Sequence, residues 1–191
     1  MTFPLPKGRS RRSDPDRRDR LIDACLEVIT SVGVAGTSAR RVAAAADVPL
    51  GSVTYHFTSM DELMHEAFTR FSICISEIFE TYLRQSGSRD QAAQAVVALI
   101  ECDVLRSTRV VRLTHELYAL AARNTAYQPL TTAWMVRSRD ALQKHFDSTT
   151  ARILDALIEG LILHRALDEA TPPENLAADA IARIISAQPD R

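Results

Sequence analysis

Apolar residues recur at helical spacing along most of the chain, and no segment alternates apolar and polar positions over the length of a strand. In the first such run the apolar residues share one helix face, and they are Leu21, Cys25, Val28, Ile29 and Val32. Asp14 followed by Pro15 predicts the start of this helix, and Gly33 predicts its end. The pattern favours an all-α protein.

Further helical segments follow, and together they predict about nine helices. Thr37 or Ser38 caps a second helix, and Pro49 begins a third helix of only about two turns. A capping box at residues 59–62 opens a long fourth helix. The remaining helices are predicted over residues 90–106, 108–123, 130–146, 149–167 and 174–186.

The composition agrees with a helical globular protein. Of 191 residues, 46% are hydrophobic and 25% are charged, with only six glycines and eight prolines. The three cysteines are far apart and form no CxxC pair, so we expect no disulfide framework, no metal site and no cofactor. Because neither a run of about 18 apolar residues nor a signal peptide is present, we expect no membrane partner and a cytoplasmic protein.

Charge is distributed unevenly along the chain. Residues 1–57 carry nine Lys or Arg against six Asp or Glu, a balance of +3, although the whole chain has a net charge of −1. A basic end on an acidic body suits a protein that meets phosphate with one surface. Residues 1–13 are rich in Arg, Ser, Pro and Lys and predict a flexible basic arm, which either follows DNA or is a tail without function.

Residues 16–63 have the layout of a helix-turn-helix domain: a long helix, two short helices with a tight break between them, and the start of another long helix. The second short helix of such a unit enters the major groove of DNA. The sequence from Thr37 to Leu63, TSARRVAAAADVPLGSVTYHFTSMDEL, resembles the DNA-binding signature of the TetR family of repressors. This resemblance implies a DNA-binding domain over 14–60 and a helical ligand-binding and dimerisation domain over 61–191.

The resemblance also implies which residues meet DNA. Base contacts are expected from Arg40, Leu50, Gly51, Ser52, Thr54 and Tyr55. Phosphate contacts are expected from Thr37, Ser38, Tyr55, His56 and Ser59. The alternative for Arg40 is a solvated position on the helix surface.

Three positions depart from the family pattern. Met60 replaces a lysine that usually binds phosphate, and Thr54 stands where a tyrosine commonly touches the backbone. Asp47 replaces the glycine of the turn, a change that Asp tolerates better than most residues if the backbone there is left-handed. The sequence therefore predicts DNA binding with unusual contacts.

The C-terminal part is interpreted as a receptor, because aromatic residues on packed helices are the usual lining of a small-molecule pocket. The candidate ligand-binding residues are Phe68, Phe71, Tyr82, His115, Tyr118 and Trp134. Each aromatic residue taken alone also fits a plain core position, and Glu116 is expected to face solvent.

The helices at 149–167 and 174–186 are the predicted dimer contact. The first is apolar nearly all round, so both of its faces need cover, and one chain covers only one. Two such helix pairs would form a four-helix interface across a two-fold axis. Gly160, which costs about 1 kcal/mol inside a helix, would mark a close helix crossing.

These expectations combine into one functional hypothesis. A homodimeric repressor binds a palindromic double-stranded operator and is released when a small apolar or aromatic effector enters its C-terminal domain, with the fourth helix linking cavity and DNA. The alternative is a dimeric interaction protein whose DNA-binding surface has decayed. An enzyme is disfavoured, because the GxSxG, HExxH, P-loop and GxGxxG motifs are absent and the five histidines are scattered.

Overall fold

The computed structural model describes residues 16–186, and this part of the chain contains helices and no strand. The predicted all-α class is confirmed, whereas the predicted arm at 1–13 lies outside the described residues. A single turn of 3-10 helix, Thr125–Tyr127, precedes α8. The α-helices are α1 Arg17–Gly36, α2 Ala39–Ala45, α3 Gly51–His56, α4 Met60–Arg84, α5 Arg89–Glu101, α6 Asp103–Arg106, α7 Thr108–Arg123, α8 Gln128–Gln143, α9 Ser148–Leu167 and α10 Leu176–Ser186.

The first three helices pack around a small apolar core. The predicted face of α1 is buried except at Val32, which is 43% exposed near the end of the helix. The buried part belongs to one core with Val42 from α2 and with Val53 and Phe57 from the third helix and its C-cap. Burial raises the pKa of the Cys25 thiol to about 12, so this cysteine behaves as a small apolar residue. Because α1 also packs on α4, the short helices are held against the start of the long one.

Two left-handed residues shape this region. Gly33 has φ 73° and interrupts the regular geometry of α1, where the sequence predicted the helix to end. Asp47 has φ 51° and is the non-glycine residue with positive φ in the described part of the chain. The turn before α3 therefore has the backbone that favours glycine, and Asp47 adopts it.

The predicted fifth helix, 90–106, is divided in the structure. Cys102 adopts an extended conformation with ψ 137°, which separates α5 from the four-residue α6. Ser107 is also extended, and its hydroxyl accepts a hydrogen bond from the Val110 N–H at 3.3 Å, which starts α7. No glycine or proline marks the break at Cys102, so the apolar pattern alone did not reveal it.

The other helices form a bundle around α4. The long α4 packs against α8, α8 packs against α9, and α10 packs against α5 and α9. Fully buried side chains at the centre come from four of these helices: Phe68, Leu99, Leu117 and Leu154. No helix within residues 16–186 is long and apolar enough to cross a membrane.

Polar contacts join α1 to α7. Arg109 forms an ion pair with Glu27 at 2.8 Å, and Arg112 donates to the Thr30 carbonyl oxygen at 3.2 Å. The Glu116 carboxylate accepts a hydrogen bond from the Val34 N–H at 3.1 Å. The expectation that Glu116 faces solvent is therefore wrong, because this half-buried carboxylate binds a backbone N–H left without a helical partner by the break at Gly33.

Gly33→Ala is expected to destabilise the protein by about 1–2 kcal/mol, the cost of placing a β-carbon in left-handed backbone. The new β-carbon would also lie 2.6 Å from Glu116 Oε1. The measurement is the free energy of unfolding in urea. Gly51→Ala is the matched control, since no heavy atom lies within 4 Å of its β-carbon position, and equal stability of the two variants would contradict the argument.

Candidate DNA-binding and ligand-binding sites

The most exposed large side chains near α3 are those predicted to face DNA. Tyr55 is 83% exposed and Leu50 is 47% exposed, although both are apolar or aromatic. Thr54 and Arg40 are exposed as well. Contiguous exposed apolar patches mark interaction sites, and the exposure of Leu50 and Tyr55 fits the predicted contact with DNA.

The hydroxyl groups predicted to bind phosphate also hold the backbone. Ser38 caps α2 by accepting from the Arg41 N–H, and Ser59 caps α4 by accepting from the Glu62 N–H at 3.0 Å. Thr37 donates to the Gly33 carbonyl oxygen at 2.8 Å. The Ser38 and Ser59 hydroxyls accept in these caps and keep their O–H to donate to a phosphate, whereas the Thr37 hydroxyl has already donated its one hydrogen to Gly33. The first N–H groups of α4 point the same way as its dipole.

The capping box at the start of α4 is present with a shifted partner. The Glu62 carboxylate accepts from the Thr58 N–H at 2.6 Å and also from the Thr58 hydroxyl. These two hydrogen bonds hold the pKa of Glu62 below its ordinary value. The loop between α3 and α4 is thereby fixed next to the exposed end of α3.

Two residues of this surface do not lie as the sequence suggested. Ser52 was predicted to contact bases, but it is buried beside Val53 on the inner side of α3. Met60, which stands in place of a lysine, is half-buried and packs against the core. His56 is half-exposed, and its ring lies edge-on to Tyr55 with centroids 4.9 Å apart.

A cavity of about 320 Å³ lies among α4, α7, α8 and α9. Three predicted ligand-binding residues line it: His115, Tyr118 and Trp134. The Tyr118 and Trp134 rings are 5.9 Å apart, and most of the remaining wall is aliphatic or aromatic, including Ile75 and Phe79. This is the form of an apolar small-molecule pocket with a few polar groups.

The other three predicted ligand-binding residues are not part of this wall. Phe68 is fully buried edge-on to Tyr127, and Phe71 packs edge-on against Trp134. Tyr82 is half-buried and packs against the core. Sequence spacing placed them on the inner side of α4, but it did not distinguish the part of that side which packs from the part which faces the cavity.

Two carboxylates in the wall were missed by sequence analysis. Asp155 is buried and accepts from the Ser138 hydroxyl and from Arg139 Nε at 2.9 Å. Glu159 accepts from the Tyr118 hydroxyl. Burial raises the pKa of Glu159 and of Tyr118. The available signal was two acids four residues apart in an otherwise apolar helix, a spacing that puts both on one face.

His115 connects the cavity with the first helix. Besides lining the cavity, it lies in a groove between α1 and α7 together with Gly33 and Glu116. The long α4 makes a second connection, because Ile75 lines the cavity and the same helix begins directly after α3. Both α4 and α7 therefore connect the cavity wall with the first three helices.

The predicted dimer helices expose apolar side chains. Ile153 and Leu167 on α9 are 47% and 69% exposed, and Leu176 on α10 is 39% exposed. Gly160 lines the cavity, and no heavy atom lies within 4 Å of its β-carbon position. A helix crossing at Gly160 therefore does not occur within one protomer.

Two family models match the chain. Residues 21–67 match the model described as bacterial regulatory proteins of the TetR family, and residues 87–187 match a tetracyclin repressor-like C-terminal domain. The first match covers α1 from Leu21 onward, α2, α3 and the start of α4. The second match covers α5 to α10. The resemblance noted in the sequence thus extends to the ligand-binding half.

Solved structures and a curated protein are similar to this chain. SCO7518 of Streptomyces coelicolor A3(2), a proposed transcriptional regulator, is 50% identical with a TM-score of 0.81 over 89% of this chain and 98% of its own. The multidrug binding protein EbrR, complexed with ethidium, is 34% identical with a TM-score of 0.71 over 90% and 99%.

The curated relative is an uncharacterised helix-turn-helix regulator of Xanthobacter autotrophicus. It is 33% identical over 111 residues, and the match spans 56% of this chain and 54% of the relative. The matched family model and these similar proteins are described as transcriptional regulators and not as enzymes. From the two family models, the helical architecture and these relatives together, we conclude that the chain belongs to the TetR family of bacterial regulatory proteins.

Proposed function

We propose that this protein is a dimeric repressor that binds a palindromic operator and is released from it by a small aromatic effector. The observation that carries the proposal is the cavity lined by one side of α7, because another side of the same helix contacts α1. The DNA-binding domain ends near residue 60, and the ligand-binding domain begins with α4. The ligand-binding fold and the helix-turn-helix belong to the family, whereas repression and the effector class are inferred.

DNA recognition rests on the exposed side of α3 and the start of α2. A major groove about 12 Å wide admits one helix, and the outward Thr54 and Tyr55 side chains are the ones that would meet base edges or backbone. Arg40 extends from the first turn of α2, where a guanidinium reaches a guanine or a phosphate. The loss of the lysine at Met60 removes one phosphate contact, while the N-terminus of α4 remains.

The effector class follows from the wall of the cavity. Aromatic rings pack well against Tyr118 and Trp134, which bury large area at low entropy cost. The similar protein EbrR is seen with ethidium, with malachite green and with proflavin, three multi-ring aromatic compounds. An aromatic ligand of this size class is the effector that the cavity favours here.

Release is a shift between two states of the dimer. Two recognition helices bind one duplex when they sit about one helical turn apart, roughly 34 Å. An effector that binds better to a state with another separation lowers operator affinity by its ratio of affinities for the two states. Movement of α7 would act on α1 through Arg109, Arg112 and Glu116, and movement of α4 would act on α3 directly.

Arg40→Ala and Tyr55→Ala are each expected to weaken operator binding about tenfold or more, a loss of about 1–3 kcal/mol per contact. Both side chains are exposed, so stability should not change. The measurement is fluorescence anisotropy at constant salt with a palindrome selected from random DNA. Arg123→Ala, an exposed arginine at the end of α7, is the control. Selection that yields no palindrome would favour an interaction protein with a decayed DNA surface.

Malachite green is expected to quench the emission of Trp134, the one tryptophan of the chain, and to weaken operator binding by a factor of about 5–150, the usual range of allosteric coupling. Val111→Trp, which fills the cavity from α7, is the control for any direct effect of the dye on DNA. Release of the operator from both proteins alike would contradict a ligand site in the cavity.

Sedimentation at micromolar concentration is expected to show a species of twice 21.2 kDa. Ile153→Asp places a charge on the exposed apolar side of α9 and should shift the species to the monomer, because burying an unpaired carboxylate is costly. Ile73→Asp is the control, since Ile73 is 44% exposed on α4, a helix that packs mainly against α1, α5 and α8. A wild-type monomer would overturn the dimer.

A further inference from the structure

The cavity contains more negative charge than its own residues neutralise. Asp155 and Glu159 lie one helical turn apart on α9, and both line the cavity. Ion pairs between residues 16 and 186 give Asp155 a partner in Arg139 at 2.9 Å, and give Glu159 none. Counting histidine as neutral, the formal charges of the two lining carboxylates and of the Arg139 guanidinium behind them sum to −1.

Among residues 16–186, the Tyr118 hydroxyl is the hydrogen-bond donor to Glu159, and the Arg139 guanidinium attracts its charge without forming an ion pair with it. The surrounding wall is formed largely by residues such as Ile158, Ile162 and Val111. A carboxylate in such surroundings is costly unless a cation or several hydrogen bonds accompany it. Burial raises its pKa for the same reason, and the nearby Asp155 carboxylate adds to this rise.

We infer that the cavity selects aromatic cations, and that Glu159 is the residue that provides this selectivity. The inference rests on the proposed function, because it assigns the charge of the effector that enters the same cavity. A monovalent organic cation would neutralise the wall. Its rings would pack against Trp134 and Tyr118, whose faces also attract positive charge.

The geometry distinguishes the roles of the two acids. Asp155 is paired with Arg139 and Ser138 on the side of α8, so it holds α9 against α8. Glu159 faces α7 through Tyr118, on the helix that also contacts α1. A cation that pairs with Glu159 therefore binds next to α7. A cation that paired with Asp155 would have to compete with the ion pair between Asp155 and Arg139.

The test compares ethidium, a permanent cation, with dihydroethidium, its neutral reduced form of nearly the same shape, kept under anaerobic conditions. Binding is followed by quenching of Trp134. Glu159→Gln removes the charge and keeps the size. We expect it to weaken ethidium binding about tenfold or more and to leave dihydroethidium binding unchanged or tighter. Glu77→Gln, exposed on α4 outside the cavity, should change neither.

Two results would overturn the inference: ethidium binding equally well to Glu159→Gln and wild type, or wild type preferring the neutral form. Tyr118→Phe is a second variant that keeps the carboxylate and removes its hydrogen-bond donor. Ethidium should bind it at least as tightly as it binds wild type, and a loss equal to that of Glu159→Gln would also overturn the inference.

The proposed function has its own point of failure. If ethidium binds with the expected dependence on Glu159 but leaves operator affinity unchanged, charge selection stands and release by the effector fails. If a neutral ligand occupies the cavity more tightly and releases the operator, the proposed function stands and charge selection fails. Operator affinity for this comparison is measured with the Val111→Trp variant alongside, which corrects for ethidium bound to DNA.

Discussion

The contact between α1 and α7 joins the first three helices to the wall of the cavity. Gly33 interrupts α1 in left-handed backbone, and this leaves the Val34 N–H free to meet the Glu116 carboxylate. A hydrogen bond from an N–H group to a charged acceptor is stronger than one to a neutral acceptor. The same helix bears His115 and Tyr118 on the cavity wall, so one element contacts both the cavity and α1.

A second connection runs through α4, which packs against α1 and so holds the first three helices in place. Arg70 contacts both Asp19 and Asp23 on α1, with 2.9 Å to Asp23, and these exposed pairs contribute modestly to stability. The Tyr127 hydroxyl donates to the Asp61 carboxylate at 2.8 Å, which ties the turn before α8 to the start of α4. The first three helices are therefore held against the rest of the bundle from two sides, through α7 and through α4.

Only some of the predicted site residues lie in the sites, because a residue that packs in the core and one that lines a pocket have the same helical spacing. Phe68 and Phe71 have the same pattern as a pocket lining, but each packs against another ring, whereas Trp134 shows one side to the cavity. Ser52 has the small size of a groove-facing residue, yet α3 turns it inward. Periodicity specifies the inner side of a helix and not what lies opposite it.

The amino-acid sequence by itself determined the helical class, the helix-turn-helix layout, the left-handed turn at Asp47 and the candidates His115, Tyr118 and Trp134, because these depend on local spacing and backbone preference. Only the tertiary structure decided the break at Cys102, the contact of Glu116 with Val34 and the charge of the cavity. These features arise between helices distant in the chain, where the energy of a side chain depends on its partner rather than on its neighbours in sequence.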